Sequence, residues 1–265
     1  MNNKGASELS GDASMSLTAH LGELRACLIK CAIAVVGAFL VCYALGDRII
    51  ALLTTPLLNI DSPNLTIIGT GVAEAFFAKL KVSFVAAVFL ALPVLLWQGW
   101  TFVAPGLYEN ERWYAAAFVF FGSLFFLLGA WFCYAVVFDF GYRFFLGQYQ
   151  EFDIRPAIRI SEYLSFSAKL MLAFGVVFEL PVAGFFLARI GVLNHRFMIS
   201  QFRYALVLII VLAAVLTPPD VISQILLAVP LTALYGLTIL VVYFVEKKRT
   251  ESKEKDDDAE DDDYE

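Results

Sequence analysis

Residues 204–220 read YALVLIIVLAAVLTPPD, and whether this stretch crosses a membrane decides how many times the chain does. Its apolar part, Tyr204 to Thr217, rises only about 21 Å as a helix, against a hydrocarbon core of about 30 Å. Arg203 bounds it on one side and Pro218-Pro219-Asp220 on the other. Proline ends one helix and an acid caps the next, so the Pro-Pro-Asp break argues for a tight hairpin. The following stretch, 221–245 (VISQILLAVPLTALYGLTILVVYFV), is long enough to return through a bilayer. A re-entrant piece is the alternative. The hairpin reading makes 204–217 a short membrane span.

Outward from that hairpin, four longer apolar stretches reach the roughly 20 residues a span needs: 26–46, 82–104, 114–138 and 164–188. The chain is 60% hydrophobic, above the roughly 45–50% of soluble domains. It therefore reads as an all-α integral membrane protein with six spans, which puts both termini on one side. The first apolar stretch outruns a signal-peptide core and lacks a cleavage site, so it is expected to stay as a span. Just before it, Leu17, Leu21, Leu24 and Leu28 recur at helical spacing, which predicts an amphipathic helix at the interface.

Basic residues orient the chain. With the N-terminus inside, the inner segments hold Lys4, Arg25, Lys30, Arg112, Arg189, Arg196, Arg203 and the bases of the tail, led by Lys247-Lys248-Arg249. The outer segments hold fewer: Arg48, Lys79, Lys81, Arg143, Arg155, Arg159 and Lys169. Both termini are expected in the cytoplasm. Two long outer connections, 47–76 and 139–162, contain Pro56, Pro63 and Pro156 and predict an extracytoplasmic cap. The formal net charge of -6 belongs entirely to residues 246–265, and the rest is neutral. Three regions follow: a flexible leader 1–16, a transmembrane domain 17–246 and an acidic, disordered tail 247–265.

The polar residues suggest no catalysis. Hydrolase, phosphate-binding and dinucleotide motifs are missing, so no enzyme, metal or cofactor is expected. Cys27, Cys31, Cys42 and Cys133 lie in or beside apolar stretches as small hydrophobes. His20 and His195 sit near span ends without evident partners. Asp220 reads as the cap of the last helix, with Ser223 and Gln224 in its first turn. Glu179 stands near the middle of the fourth long stretch, at a cost of roughly 2.5–3.5 kcal/mol on insertion scales. An intramembrane acid is a functional site by default, and a structural hydrogen bond is the rival reading of Glu179.

The inner connection 102–112, FVAPGLYENER, carries Glu109 and Glu111 against Arg112, where basic residues are the rule. An ordered acidic loop at a membrane surface is suited to hold arginines through bidentate hydrogen bonds.

Four stretches together resemble the TatC family, the multispanning core subunit of the twin-arginine protein translocase. They are HLGELR (20–25), WQGWTFVAPGLYENER (97–112), YLSFSAKLMLAFGVVFELPV (163–182) and LTPPDVISQILLAVP (216–230). The resemblance spans about 17–246. It implies a concave, glove-like bundle of six helices with its last two spans short, and both termini in the cytoplasm. The implied activity is export of folded proteins by the proton-motive force, after recognition of twin-arginine signal peptides. The family's recognition glutamates fall on Glu23 and Glu111 and its loop aromatic on Phe102, with Arg25 and Arg112 beside them. Its intramembrane acid falls on Glu179, its hairpin acid on Asp220 near Gln224, and an outer-loop proline on Pro56. Implied partners are single-span TatA-type and TatB-type subunits, further copies of the chain and the lipid bilayer, with no nucleic acid. Cys27 and Trp113 replace residues that are often basic in the family. The rival reading is an ion-coupled small-molecule transporter built on Glu179.

Overall fold

The structure, a computed structural model, describes residues 5–60, 65–103, 112–151, 155–217 and 220–262, with the backbone alone at 5–20, 103, 112–114, 150 and 251–262. The elements are helices α1 (Gly5–Ala44), α2 (Gly46–Leu58), α3 (Glu74–Val103), α4 (Arg112–Phe132), α5 (Phe138–Glu151), α6 (Ile160–Arg189), α7 (His195–Ser200), α8 (Phe202–Leu216) and α9 (Val221–Asp262). Two short strands, β1 (Thr66–Ile68) and β2 (Ala157–Arg159), pair in parallel with Ile67 opposite Ile158. Among the described residues, five helices are long and apolar enough to cross a membrane: Leu21–Ala44, Glu74–Phe102, Ala115–Tyr149, Ile160–Arg189 and Val221–Thr250. Phe202–Leu216 is apolar but shorter.

Helix α6 is the axis of the bundle, packed on α3, α4 and α9. Glycines permit the close approaches, as is usual where helices pack in lipid. A Cβ on Gly129 of α4 would lie 2.6 Å from the Phe174 carbonyl oxygen and 2.7 Å from Phe178 Cβ. On α6, Gly175 lies under the Phe126 ring and Gly184 against Thr238 of α9. The largest buried cluster, with Leu57, Cys133, Phe138, Tyr163, Leu164 and Phe174, sits toward the end of the bundle that bears the strands. There Tyr163 Oη donates to the Leu53 carbonyl at 2.6 Å and Tyr134 Oη to that of Leu52 at 3.1 Å, fastening α2 to the bundle. Elsewhere large apolar side chains face outward, among them Trp131, Phe120 and Val215. That is the surface of a chain whose solvent is lipid.

Several expectations need correction. The chain does not turn between an interfacial helix and the first span, because α1 is one uninterrupted helix from Gly5. Nothing but Gly22 stands in the junction to break it, and a lone glycine is tolerated. The outer connection 47–76 is largely helical, with Pro56 inside α2. The third span does not end near residue 138. A π-helical turn, Cys133–Val137, joins α4 directly to α5, where an Asp139–Arg143 pair at 2.8 Å supports the polar continuation. Only α8 of the last two spans is short, since α9 offers Val221–Thr250. Helix α9 runs on to Asp262, within the stretch read as a solvated tail.

Candidate functional site

The arrangement of α1 against α3 positions the recognition residues read from the sequence. The two helices pack along their length in opposite directions. At the strand-bearing end, Asp47 accepts from Lys79 Nζ at 2.8 Å, and that ammonium lies 5.4 Å from the Tyr43 ring centroid. Carried back at equal rise along both helices, this pairing sets Phe102 within about one turn of Glu23. Glu23 is exposed on α1, and Phe102 is half-buried near the end of α3. Arg25 is exposed too, around the helix from Glu23, and shares with Leu21, Leu24, Leu28, Ile29 and Ala32 an open, mostly apolar face of α1. Arg112 opens α4. Glu111 lies outside the described residues, in the connection that Phe102 and Arg112 bracket. Near this end of α3, Trp100 stacks on Phe118 of α4 and Phe186 of α6, with centroids 5.0 and 5.4 Å away. The connection thus springs from a fixed base.

Glu179 lies deep in the bundle, apart from these residues. Both its oxygens are buried without a hydrogen-bond partner, and so is Ser123 Oγ. A Cβ on Gly122 would come 3.0 Å from Glu179 Oε2 and 2.7 Å from Leu96 Cδ1, so Gly122 leaves the space the carboxyl fills. A buried carboxyl without a donor is costly and calls for a partner. Asp220 is the helix cap expected of it: its Oδ2 accepts from the Ser223 backbone N–H at 2.9 Å. That bond, chiefly, holds its carboxyl below the ordinary aspartate range. Gln224 Nε2 donates to the Ile210 carbonyl at 3.0 Å and clasps α8 to α9. Pro56 sits in α2 at the strand-bearing end, far from Glu23.

Two polar clusters escaped the sequence reading. Glu74, whose side chain is 7% exposed, accepts from the Thr70 and Gly71 backbone N–H groups at 2.6 and 3.0 Å. It also accepts from Ser161 Oγ, which joins the two connections that carry the strands. The spacing Gly71 to Glu74 is that of an acid reaching back to the start of its helix, a readable capping signal. His195 is the second, and it is partnered after all: Nδ1 and its backbone N–H face Glu246 Oε2 at 2.7 and 3.1 Å. Fifty-odd residues of intervening sequence hide that pair.

The chain is similar to known proteins over most of its length. Residues 19–230 match the family described as Sec-independent protein translocase protein (TatC). The chain is 44% identical over 229 residues to the Sec-independent protein translocase protein TatC of Campylobacter jejuni, covering 85% of this chain and 93% of that one. It is 41% identical to the protein of the same name from Helicobacter pylori J99, covering 86% and 89%. A solved structure titled as the twin arginine translocase receptor TatC superposes with a TM-score of 0.78 at 31% identity, covering 85% of this chain and 99% of that one.

Proposed function

The chain belongs to the TatC family of Sec-independent protein translocases, a multi-pass membrane subunit of a protein transport system, and from that premise we propose that it is the receptor for twin-arginine signal peptides. Glu23 from α1 and Glu111 from the connection after Phe102 each take one guanidinium of the arginine pair, while the peptide's apolar run lies against the spans. What supports this reading is the packing of α1 on α3 with Tyr43 beside Lys79, from which equal rise along the two helices brings Glu23 to about the level of Phe102. Two carboxylates far apart in sequence then flank one short peptide at a membrane boundary, where charge-assisted bonds exceed the roughly 0–1 kcal/mol of exposed pairs.

In the proposed topology α8 crosses as a short sixth span, the bundle is concave and glove-like, and both termini lie in the cytoplasm of a cell with this protein in its inner membrane. Export of folded cargo draws on the proton-motive force. Single-span TatA-type and TatB-type subunits dock near Glu179, Asp220 and Gln224, supplying the donor that Glu179 lacks. The test is photo-crosslinking of a twin-arginine signal peptide to vesicles bearing the Glu23→Lys or Glu111→Lys variant. Either substitution should reduce capture to the level of a control peptide with Lys-Lys in place of Arg-Arg. Undiminished capture by both variants refutes the site.

A further inference from the structure

The end of the bundle opposite the strands is stepped. Helix α9 continues past Glu246, where His195 meets it. Helix α8 starts much deeper. Its first residue, Phe202, packs its ring 6.1 Å from that of Tyr235, and Tyr235 Oη donates to the Met198 carbonyl at 3.0 Å. Tyr235 precedes Glu246 by about 16 Å along α9. Between those levels lies α7, with Phe197 59% and Ile199 56% exposed. The surface of the step is therefore apolar, and α8 offers only about 22 Å of length to the hydrocarbon. A bilayer meeting α8 must bring its headgroup layer inward to this step.

The step is also basic. Residues 190–205 contain Arg196 and Arg203 and neither Asp nor Glu. The nearby acid Glu246 is engaged by His195 and also faces Arg196, which leaves Arg203 as the principal cation of the step. The Arg203 guanidinium is held over the Tyr204 ring at 4.7 Å and donates from Nη2 to Tyr204 Oη at 2.9 Å. Clamped by an aromatic side chain and exposed, it keeps most of its five donors for an anion. We propose that Arg203, oriented by Tyr204 and assisted by Arg196, binds the phosphate of an anionic phospholipid at the indented boundary beside α8. The apolar tails of that lipid cover Phe197 and Ile199.

This inference does not depend on the signal-peptide reading or on the orientation of the termini. The experiment uses the full chain in nanodiscs of mixed phosphatidylglycerol and phosphatidylcholine, with the lipids retained on release counted by native mass spectrometry. The unaltered chain should keep phosphatidylglycerol selectively. Arg203→Gln should lose about five-fold of that retention, Arg203→Lys less, and Arg196→Gln a smaller share. Excess inorganic phosphate should not displace the lipid, since the tails contribute. Equal retention in Arg203→Gln, displacement by free phosphate, or loss of a co-purifying protein with lipid retention intact each overturns the proposal.

Discussion

At the scale of single residues, the acids of this chain do different work according to what they meet. Asp220 stands before the first turn of α9, and its carboxylate is bound by the Ser223 N–H, so the fold prefers the ionised form. Its contribution is complete above the ordinary aspartate value near pH 4 and is lost as pH falls through the lower folded value. Asp220→Asn keeps an acceptor oxygen, so it should flatten the acid limb of the melting-temperature curve and leave neutral stability nearly unchanged. Asp220→Ala should lower the melting temperature at neutral pH as well. An acid limb unaltered in Asp220→Asn would show that other groups set it. Glu74 acts as a latch, taking donors from Thr70, Gly71 and Ser161 on both strand-bearing connections. Glu74→Ala orphans these donors together, whereas Glu74→Gln retains one acceptor. Limited proteolysis between β2 and α6 should accelerate strongly in the alanine variant and mildly in the glutamine one. Equal rates would mean the strands hold without the latch.

At the scale of elements, close packing and helix register carry the fold. Gly129 exists because α4 passes within contact of the α6 backbone at Phe174. Gly129→Ala must push the helices apart or displace Phe178, which should cost about 1–3 kcal/mol. Thermal unfolding in mild detergent measures it, and an unchanged midpoint would deny the close approach. The π turn at Cys133–Val137 is a register device of another kind. One extra residue in the turn offsets everything after it by about 100° relative to a straight α-helix. That offset aims Tyr142 at Ser167, 2.7 Å away in the core. Deleting Ala135 should straighten the helix, turn Tyr142 from its partner and lose about 1–3 kcal/mol for the polar groups left unmet. The same turn explains why the sequence misled. Span prediction stops where charges begin, so Asp139 and Arg143 ended the third span on paper. In the fold they pair with each other on a helix that simply continues.

At the scale of the whole molecule, what could be read from sequence is what depends on composition and local chemistry. Long apolar runs fix spans through backbone hydrogen bonding alone, so α3, α6 and α9 were legible. The cap at Asp220 was legible because caps are local. Glu74 to Ser161 and His195 to Glu246 were not, because each joins residues that only the assembled bundle brings together. That α9 outlasts α8 was legible in the lengths of 204–217 and 221–245, and this inequality has a mechanical consequence. A helix of 15 residues offers about 22 Å to a core of about 30 Å, while α6 and α9 exceed that thickness. In the proposed six-span topology the bilayer is therefore pinched beside α8. Mismatch costs fractions of a kcal/mol per Å, small enough for packing on α9 to sustain and large enough to weaken the barrier beside α8. If thinning there assists passage of folded cargo, four residues inserted after Val207 should relieve it. Export into vesicles should then fall severalfold while crosslinking of the signal peptide at Glu23 stays intact. Full export by the lengthened chain would show that the short helix serves packing alone. Loss of both readings would instead report that the insertion disturbed the receptor end.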